Sequence, residues 1–290
     1  MKGWLIVNAF LESYKFKDIY ELLLLSAKAH DIELEMRTTV QVSDVVGEGF
    51  GGFNLPEFAL FWDKDILLAR QLEGAGVRLF NCADAIEACD NKALTSLKLS
   101  KAGVEIPRTI IAPKTFESVG YTDLGFVDKA IEKLGLPIVI KESYGSFGMQ
   151  VYLADTKDEA KEIVNKLGHK DFIMQEFVKT SCGRDLRVNV VGDKVVAAIY
   201  RYNDDDFRSN LTIGGKMHGY EITEKQAEEA IKACKALNLD FAGVDVMFGE
   251  DDAPVICEVN SNAHFRTTME CTGINLADLI MEHIAKEMIK

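Results

Sequence analysis

Two β-like runs near the carboxyl end constrain this chain most. Gly243-Val244-Asp245-Val246-Met247-Phe248 and Val255-Ile256-Cys257-Glu258-Val259-Asn260 flank a turn over 249–254, which reads as an antiparallel hairpin. In a hairpin symmetric about that turn, Asp245 stands directly opposite Glu258. Side chains alternate along a strand, so Asp245, Glu258 and Asn260 share one face. Val244, Val246, Phe248, Val255, Cys257 and Val259 form the other, an apolar face that must be buried. Opposed carboxylates destabilise a sheet unless a cation lies between them. Asp, Glu and Asn offer hard oxygens suited to magnesium held jointly with phosphates, which makes these three the candidate metal ligands. Taken alone, the pattern suits an amphipathic hairpin with solvated acids equally well.

The rest of the chain divides into three stretches. Residues 1–91 alternate strands (Trp4–Val7, Ile32–Met36, Phe58–Trp62, Val77–Phe80) with helical stretches (Asp18–Ala29, Ile66–Leu72), predicting a small parallel α/β lobe. Gly47-Glu48-Gly49-Phe50-Gly51-Gly52 matches Gly-x-Gly-x-x-Gly, but it neither follows the first strand nor opens a helix, so it reads as a flexible loop. Residues 92–178 suggest an α+β lid. A helix Lys92–Ala102 leads to an extended Ile106-Pro107-Arg108, and strands Pro137–Glu142 and Met149–Leu153 flank a glycine-containing loop. A helix Asp158–Leu167, opened by the capping box Thr156-x-x-Glu159, precedes a strand Phe172–Val178. Residues 179–290 are β-rich. Leu186–Val191 and Lys194–Tyr200 turn at Gly192-Asp193, followed by an amphipathic helix Thr223–Leu237, the hairpin above and a terminal helix Leu276–Ile289.

Composition excludes some partners. A net charge of −13 over 290 residues argues against nucleic acid or an anionic membrane surface, which need a basic face. No apolar run approaches the roughly 20 residues needed to span a bilayer. The start Met1–Asn8 lacks a signal-peptide pattern, so a cytoplasmic location is expected. Six scattered cysteines without a Cys-x-x-Cys pair read as reduced, mostly packing thiols.

Two further segments suggest phosphate chemistry. Lys141 leaves an apolar strand just before Ser143-Tyr144-Gly145-Ser146-Phe147-Gly148, where glycines let backbone N–H groups approach an anion closely. It is not a Walker loop, because the lysine precedes the glycines and no helix follows; an ordinary hairpin turn fits equally. Arg208-Ser209-Asn210, after Asp204-Asp205-Asp206, adds a fork donor and an amide suited to phosphoryl oxygens, or forms a polar loop.

From about Asn91 to the carboxyl terminus the chain resembles the ATP-grasp superfamily, and within it the RimK-like amino-acid ligases. The resemblance runs through Asn91-Lys92, Ile106-Pro107-Arg108-Thr109, Val139-Ile140-Lys141 with Gly145-Ser146-x-Gly148, and Gln175-Glu176-Phe177. It continues through Gly183-Arg184-Asp185-Leu186-Arg187, Asp206-Phe207-Arg208-Ser209-Asn210 with Gly214-Gly215, Gly243-Val244-Asp245 and Glu258-Val259-Asn260. It implies an ATP-grasp fold of α/β and α+β lobes. ATP would be clamped between the central and the β-rich carboxyl-terminal lobes, with the preceding small parallel lobe helping to bind the acceptor. The resemblance also implies that Lys92, Lys141 and the loop of Ser146 contact phosphates. Gln175, Glu176, Phe177 and Val178 would edge the adenine, and Asp185 would approach the ribose. Arg208, Ser209 and Asn210 would line the transfer site, with Lys141, Arg208 and Asn210 catalytic. Asp245, Glu258 and Asn260 would hold Mg2+, with Mn2+ as a substitute.

The implied reaction is ADP-forming: a carboxylate becomes an acyl phosphate and is captured by an amine. It would add an amino acid such as glutamate to a peptide, protein or small-molecule acceptor. A ligase of lysine or D-alanine type, or a silent ATP-binding regulatory module, are the alternatives; a homo-oligomer is compatible with any of them. After Asn260 the family pattern of a Ser-Pro-Gly-like turn gives way to Ser261-Asn262-Ala263-His264-Phe265-Arg266. There Arg266 is a candidate grip for a substrate carboxylate and His264 a candidate acceptor of the amine proton, each with a structural role as its alternative. Arg201, Arg208 and Lys216 add candidate cations for an acidic substrate. His30, His169, His218 and His283 read as surface or packing residues.

Overall fold

The computed structural model describes residues 1–11, 13–48, 50–145 and 148–289. The chain opens with β1 (Lys2–Val7), α1 (Tyr14–Ala29), β2 (Glu33–Thr38), β3 (Phe58–Trp62), α2 (Ile66–Gly74) and β4 (Arg78–Phe80). The strands form a parallel sheet of order β2-β1-β3-β4. Every residue of β3 is buried, as expected of a central parallel strand covered on both faces. Helix α1 covers one face through Ile19, Leu23 and Ala27, which share a stripe at four-residue spacing. The glycine-rich stretch at 47–52 opens no helix. Its Phe50 is buried with Phe53 beside Trp4, and position 49 lies outside the described residues.

Two helices, α3 (Ala83–Asp90) and α4 (Lys92–Lys101), connect onward, and the Asn91 side chain caps α4 by accepting from the Ala93 and Leu94 amides. Leu99 of α4 joins Val104, Val188 and Ile256 in the core of the carboxyl-terminal sheet. The lid comprises β5 (Thr109–Ile111), α5 (Gly125–Leu134), β6 (Ile138–Glu142), β7 (Val151–Ala154), α6 (Lys157–Leu167) and β8 (Phe172–Glu176), with antiparallel sheet order β5-β8-β6-β7. It keeps a core of its own, in which Val127, Ala130, Val164 and Leu167 cover Ile138, Ile140 and Phe172. The capping box of Thr156 and Glu159 forms.

The last lobe holds β9 (Arg184–Val191), β10 (Lys194–Tyr202), β11 (Lys216–Gly219), α7 (Glu224–Ala236), β12 (Phe241–Phe248), β13 (Pro254–Asn260), α8 (Arg266–Thr272) and α9 (Leu276–Ile289). Its sheet runs β11-β10-β9-β12-β13, antiparallel throughout. Gly192, at φ +57°, supplies the left-handed turn between β9 and β10. Asp245 pairs with Glu258 in register, as expected. The simple alternation, however, breaks at the next step. Val246 pairs with Ile256, leaving Cys257 as the extra residue of a bulge. The buried face therefore holds Val244, Val246, Phe248, Ile256 and Val259, a correction to the expected placing of Val255 and Cys257 there.

Helix α9 returns to the first lobe. Its Leu276, Ile280 and Ile284 share a core with Leu5, Ile19, Leu23 and Trp62. Among the described residues no helix is long and apolar enough to cross a membrane.

Asn81, fully buried, fastens the first lobe to the last. Its Nδ2 donates to the Phe241 and Ser261 carbonyls, both at 3.0 Å, and its Oδ1 accepts from the Asp240 amide at 2.7 Å. Asn81→Ala strands these buried backbone groups, at ~1–3 kcal/mol each, so urea denaturation should show a loss of about 3 kcal/mol or more. Lys235→Ala, which removes an exposed ion pair with Asp193, should stay within about 0.5 kcal/mol of the parent.

Candidate active site

Two clefts meet at Asp245 and Glu258. The first lies between the lid sheet and the carboxyl-terminal sheet. Lys92, Lys141, Gln175, Glu176, Phe177 and Val178 line it, together with Asp185, Arg208, Ser209 and Asn210. Ser146 falls outside the described residues. Asn260 lines the second cleft with Arg201 and His264. Arg266 is not among the described residues lining either cleft; it points to Asp18 (3.3 Å) and Glu270 (2.9 Å).

Backbone geometry explains each placement. Lys141 follows the buried Ile138-Val139-Ile140 of β6, and its Nζ lies 3.6 Å from the Cys257 sulfur. That contact exists because the bulge turns Cys257 toward the cleft. Burial pushes the Cys257 thiol up, against the opposing pull of the Lys141 ammonium, so it is a neutral thiol at neutral pH. Lys92, at the first position of α4, donates to the Gly145 carbonyl (3.1 Å) and pairs with Glu258 (3.3 Å). Arg208 donates to the Gly148 carbonyl (2.7 Å) and forks onto Asp206, whose carboxyl its hydrogen bonds hold below the ordinary range. Gly148 has φ +72°, and a Cβ there would stand 2.8 Å from the Asn210 Oδ1. Both ends of the glycine loop thus rest on cations from other elements.

Gln175 supplies the clearest sign of a missing partner. Its Nε2 donates to the Thr109 hydroxyl at 2.8 Å, but its Oε1 is buried and, among the described residues, accepts no hydrogen bond. A buried acceptor in a cleft wall calls for an N–H from a ligand, and the exocyclic amine of adenine is one that fits.

The carboxylates at the junction are compensated by the protein itself. Asp245 is 5% exposed and takes Arg187 Nε and Nη2 (2.5 and 3.1 Å) and Arg201 Nη2 (3.0 Å). Burial alone would raise its pKa, but the two guanidiniums outweigh burial and hold it below the ordinary carboxylate range. Arg201 also forks onto Asp185. Arg187 was not singled out from the sequence; it faces Asp245 across β9 and β12, a pairing that needs the strand order. Among the described residues no group of three or more His, Cys, Asp or Glu side chains is gathered as a metal cluster. Glu258, Asn260 and Asp245 all line the second cleft, a sparse hard donor set of the kind that would suit a divalent cation whose other ligands are phosphate oxygens.

The second cleft encloses about 450 Å3 between the carboxyl ends of β1 and β3 and the segment after Asn260. Trp62 stacks on Phe241 (5.7 Å) and meets Phe265 edge-on (5.8 Å). Asn262 donates to the Asp63 carbonyl at 2.9 Å, so the stretch that departs from the family pattern is tied to the first lobe.

Because the Asp245 pKa is lowered on folding, its stabilisation is complete above the unfolded value of about 3.9 and is lost as pH falls through the lower folded value. Asp245→Asn leaves Arg187 and Arg201 undercompensated and should cost roughly 3–5 kcal/mol at pH 7. Urea denaturation measured across pH should show that deficit shrinking as the parent is acidified below about pH 4.

Residues 89–284 match the RimK-like ATP-grasp domain. The chain is 32% identical to human N-acetylaspartylglutamate synthase A over 223 residues, 76% of this chain and 56% of that protein. It is 30% identical to human beta-citrylglutamate synthase B over 305 residues, 98% of this chain and 77% of that one. Bacillus anthracis D-alanine–D-alanine ligase complexed with ATP superposes with a TM-score of 0.75 at 18% identity, covering 100% and 98% of the two chains, a likeness of fold. The chain belongs to the RimK-like ATP-grasp family.

Proposed function

We propose that this protein is an ADP-forming ligase that activates a carboxylate as an acyl phosphate and joins it to the amino group of an amino acid, glutamate first among the candidates. One observation supports this above the rest. Segments far apart in sequence bring Lys92, Lys141, Gln175, Asp185 and Arg208 to a single cleft, which opens at Asp245 and Glu258 onto a second cleft able to hold an organic acid.

In this reading a carboxylate oxygen in the second cleft attacks the γ-phosphorus of ATP and ADP departs. The amine then attacks the acyl carbon, and phosphate leaves with that oxygen. Lys92, Lys141 and Arg208 bind the phosphates and offset the charge that builds during transfer, so positioning and electrostatics supply most of the rate. Ser209 and Asn210 orient the transferred group. Magnesium, or manganese in its place, at Glu258, Asn260 and Asp245 supplies further charge neutralisation when bound. Gln175, Glu176, Phe177 and Val178 hold the adenine, Asp185 the ribose. His264, in the second cleft, takes the amine proton.

Glutamate comes first because the human relatives are named as synthases of N-acetylaspartylglutamate and beta-citrylglutamate. A silent regulatory module is disfavoured by the full set of cations and oxygen donors in one place. The acceptor is a peptide, protein or small acid. A cytoplasmic setting suits the six free thiols.

ADP release measured across a panel of carboxylic acids and amino acids tests the reading. ADP formation should require both partners and be fastest with glutamate, and Lys141→Met or Glu258→Gln should slow it by at least about 100-fold. ATP binding without any acid-dependent ADP would contradict it.

A further inference from the structure

We infer that Lys64 is the residue that reads the side-chain carboxylate of an acidic amino acid in the second cleft, an inference that rests on the ligase reading above. The cations expected to serve an acidic substrate are already engaged. Arg201, 5% exposed, is held by Asp185 and Asp245. Arg208 is held by Asp206, Lys216 by Asp204, and Arg266 by Asp18 and Glu270. Arg187, which also lines the second cleft, forks onto Asp245.

Lys64 differs from Arg208, Lys216 and Arg266 in lining the second cleft, and from Arg187 and Arg201 in being half-exposed with a single carboxylate partner among the described residues. It lines the second cleft, its side chain is 46% exposed, and its pair with Asp90 is at the surface. A half-exposed single pair is screened and reopens at little cost, whereas a buried two-carboxylate chelate does not. Its position is also that of a ligand-binding residue. It follows β3, beside Asn8 at the end of β1, with Val7 and Trp62 paired in register. Parallel sheets bind ligands beyond the carboxyl ends of their strands.

The backbone there is fixed. Trp62 packs against Phe241 and Phe265, and the Asp63 carbonyl accepts from Asn262. A firm anchor with a long flexible stem lets the ammonium meet a carboxylate without moving the cleft wall. That meeting matters because the other cations of the cleft, Arg187 and Arg201, are committed to Asp245. Phe16, Tyr20 and Trp62 form an apolar wall suited to the methylenes of such a ligand.

Calorimetric titration of the full chain loaded with ADP and magnesium, using glutamate and its neutral isostere glutamine, tests the assignment. The parent should bind glutamate at least about tenfold more tightly, and Lys64→Met should bring the ratio near one without changing the ADP affinity or the melting temperature. Lys64→Arg should restore most of the preference. A ratio that survives in Lys64→Met, or a parent that shows no preference for glutamate, overturns the assignment. Binding is read directly, so failure of turnover would count against the ligase reading alone.

Discussion

The buried carboxylate of Asp245 is tolerable only because two guanidiniums close on it. Isolated in the sheet, it would meet Glu258 across β13 with no cation between them and would be driven toward the protonated form. Arg187 and Arg201, from the two strands on its other side, prevent that, and Asp185 in turn holds Arg201. Such a network is costly to assemble and rigid once every member is satisfied. It sits where the two clefts join, so the floor on which phosphate and carboxylate would meet is preorganised before any ligand arrives.

The cores show how the rest is arranged around that floor. The first lobe and the carboxyl-terminal lobe share one apolar cluster through α9, and α4 packs into the carboxyl-terminal sheet. The walls of the second cleft are therefore built on common ground. The lid has its own core, and over the first cleft it meets the cations Lys92 and Arg208 through the Gly145 and Gly148 carbonyls. Phosphate oxygens are natural competitors for those same donors.

Much of this was legible in local sequence. The hairpin placed Asp245 opposite Glu258, the Thr156 capping box marked a helix start, and the alternating pattern before residue 91 revealed the parallel lobe. What escaped was set by nonlocal or unmarked geometry. A bulge at Cys257 has no signature in an alternating run, so the thiol beside Lys141 was assigned to the core. Helix α5 begins at Gly125 behind Leu124, an N-cap residue whose side chain makes no capping bond to announce it. Arg187 becomes a partner of Asp245 only once β9 and β12 are known to be neighbours. Arg266, in the altered stretch after Asn260, opens α8, and that helix directs its side chain to Asp18 and Glu270. Lys64 is distinguished only by its place beyond the end of β3, where it lines the second cleft.

The central claim is that a carboxylate is phosphorylated at the junction of the two clefts before it meets the amine. Transfer of oxygen-18 from a doubly labelled carboxylic acid substrate tests this most directly, because the attacking oxygen leaves with phosphate when the amide forms. Mass spectrometry should find one labelled oxygen in each inorganic phosphate released and one retained in the amide. Unlabelled phosphate accompanying amide formation, with the displaced label in water or AMP, would contradict the account.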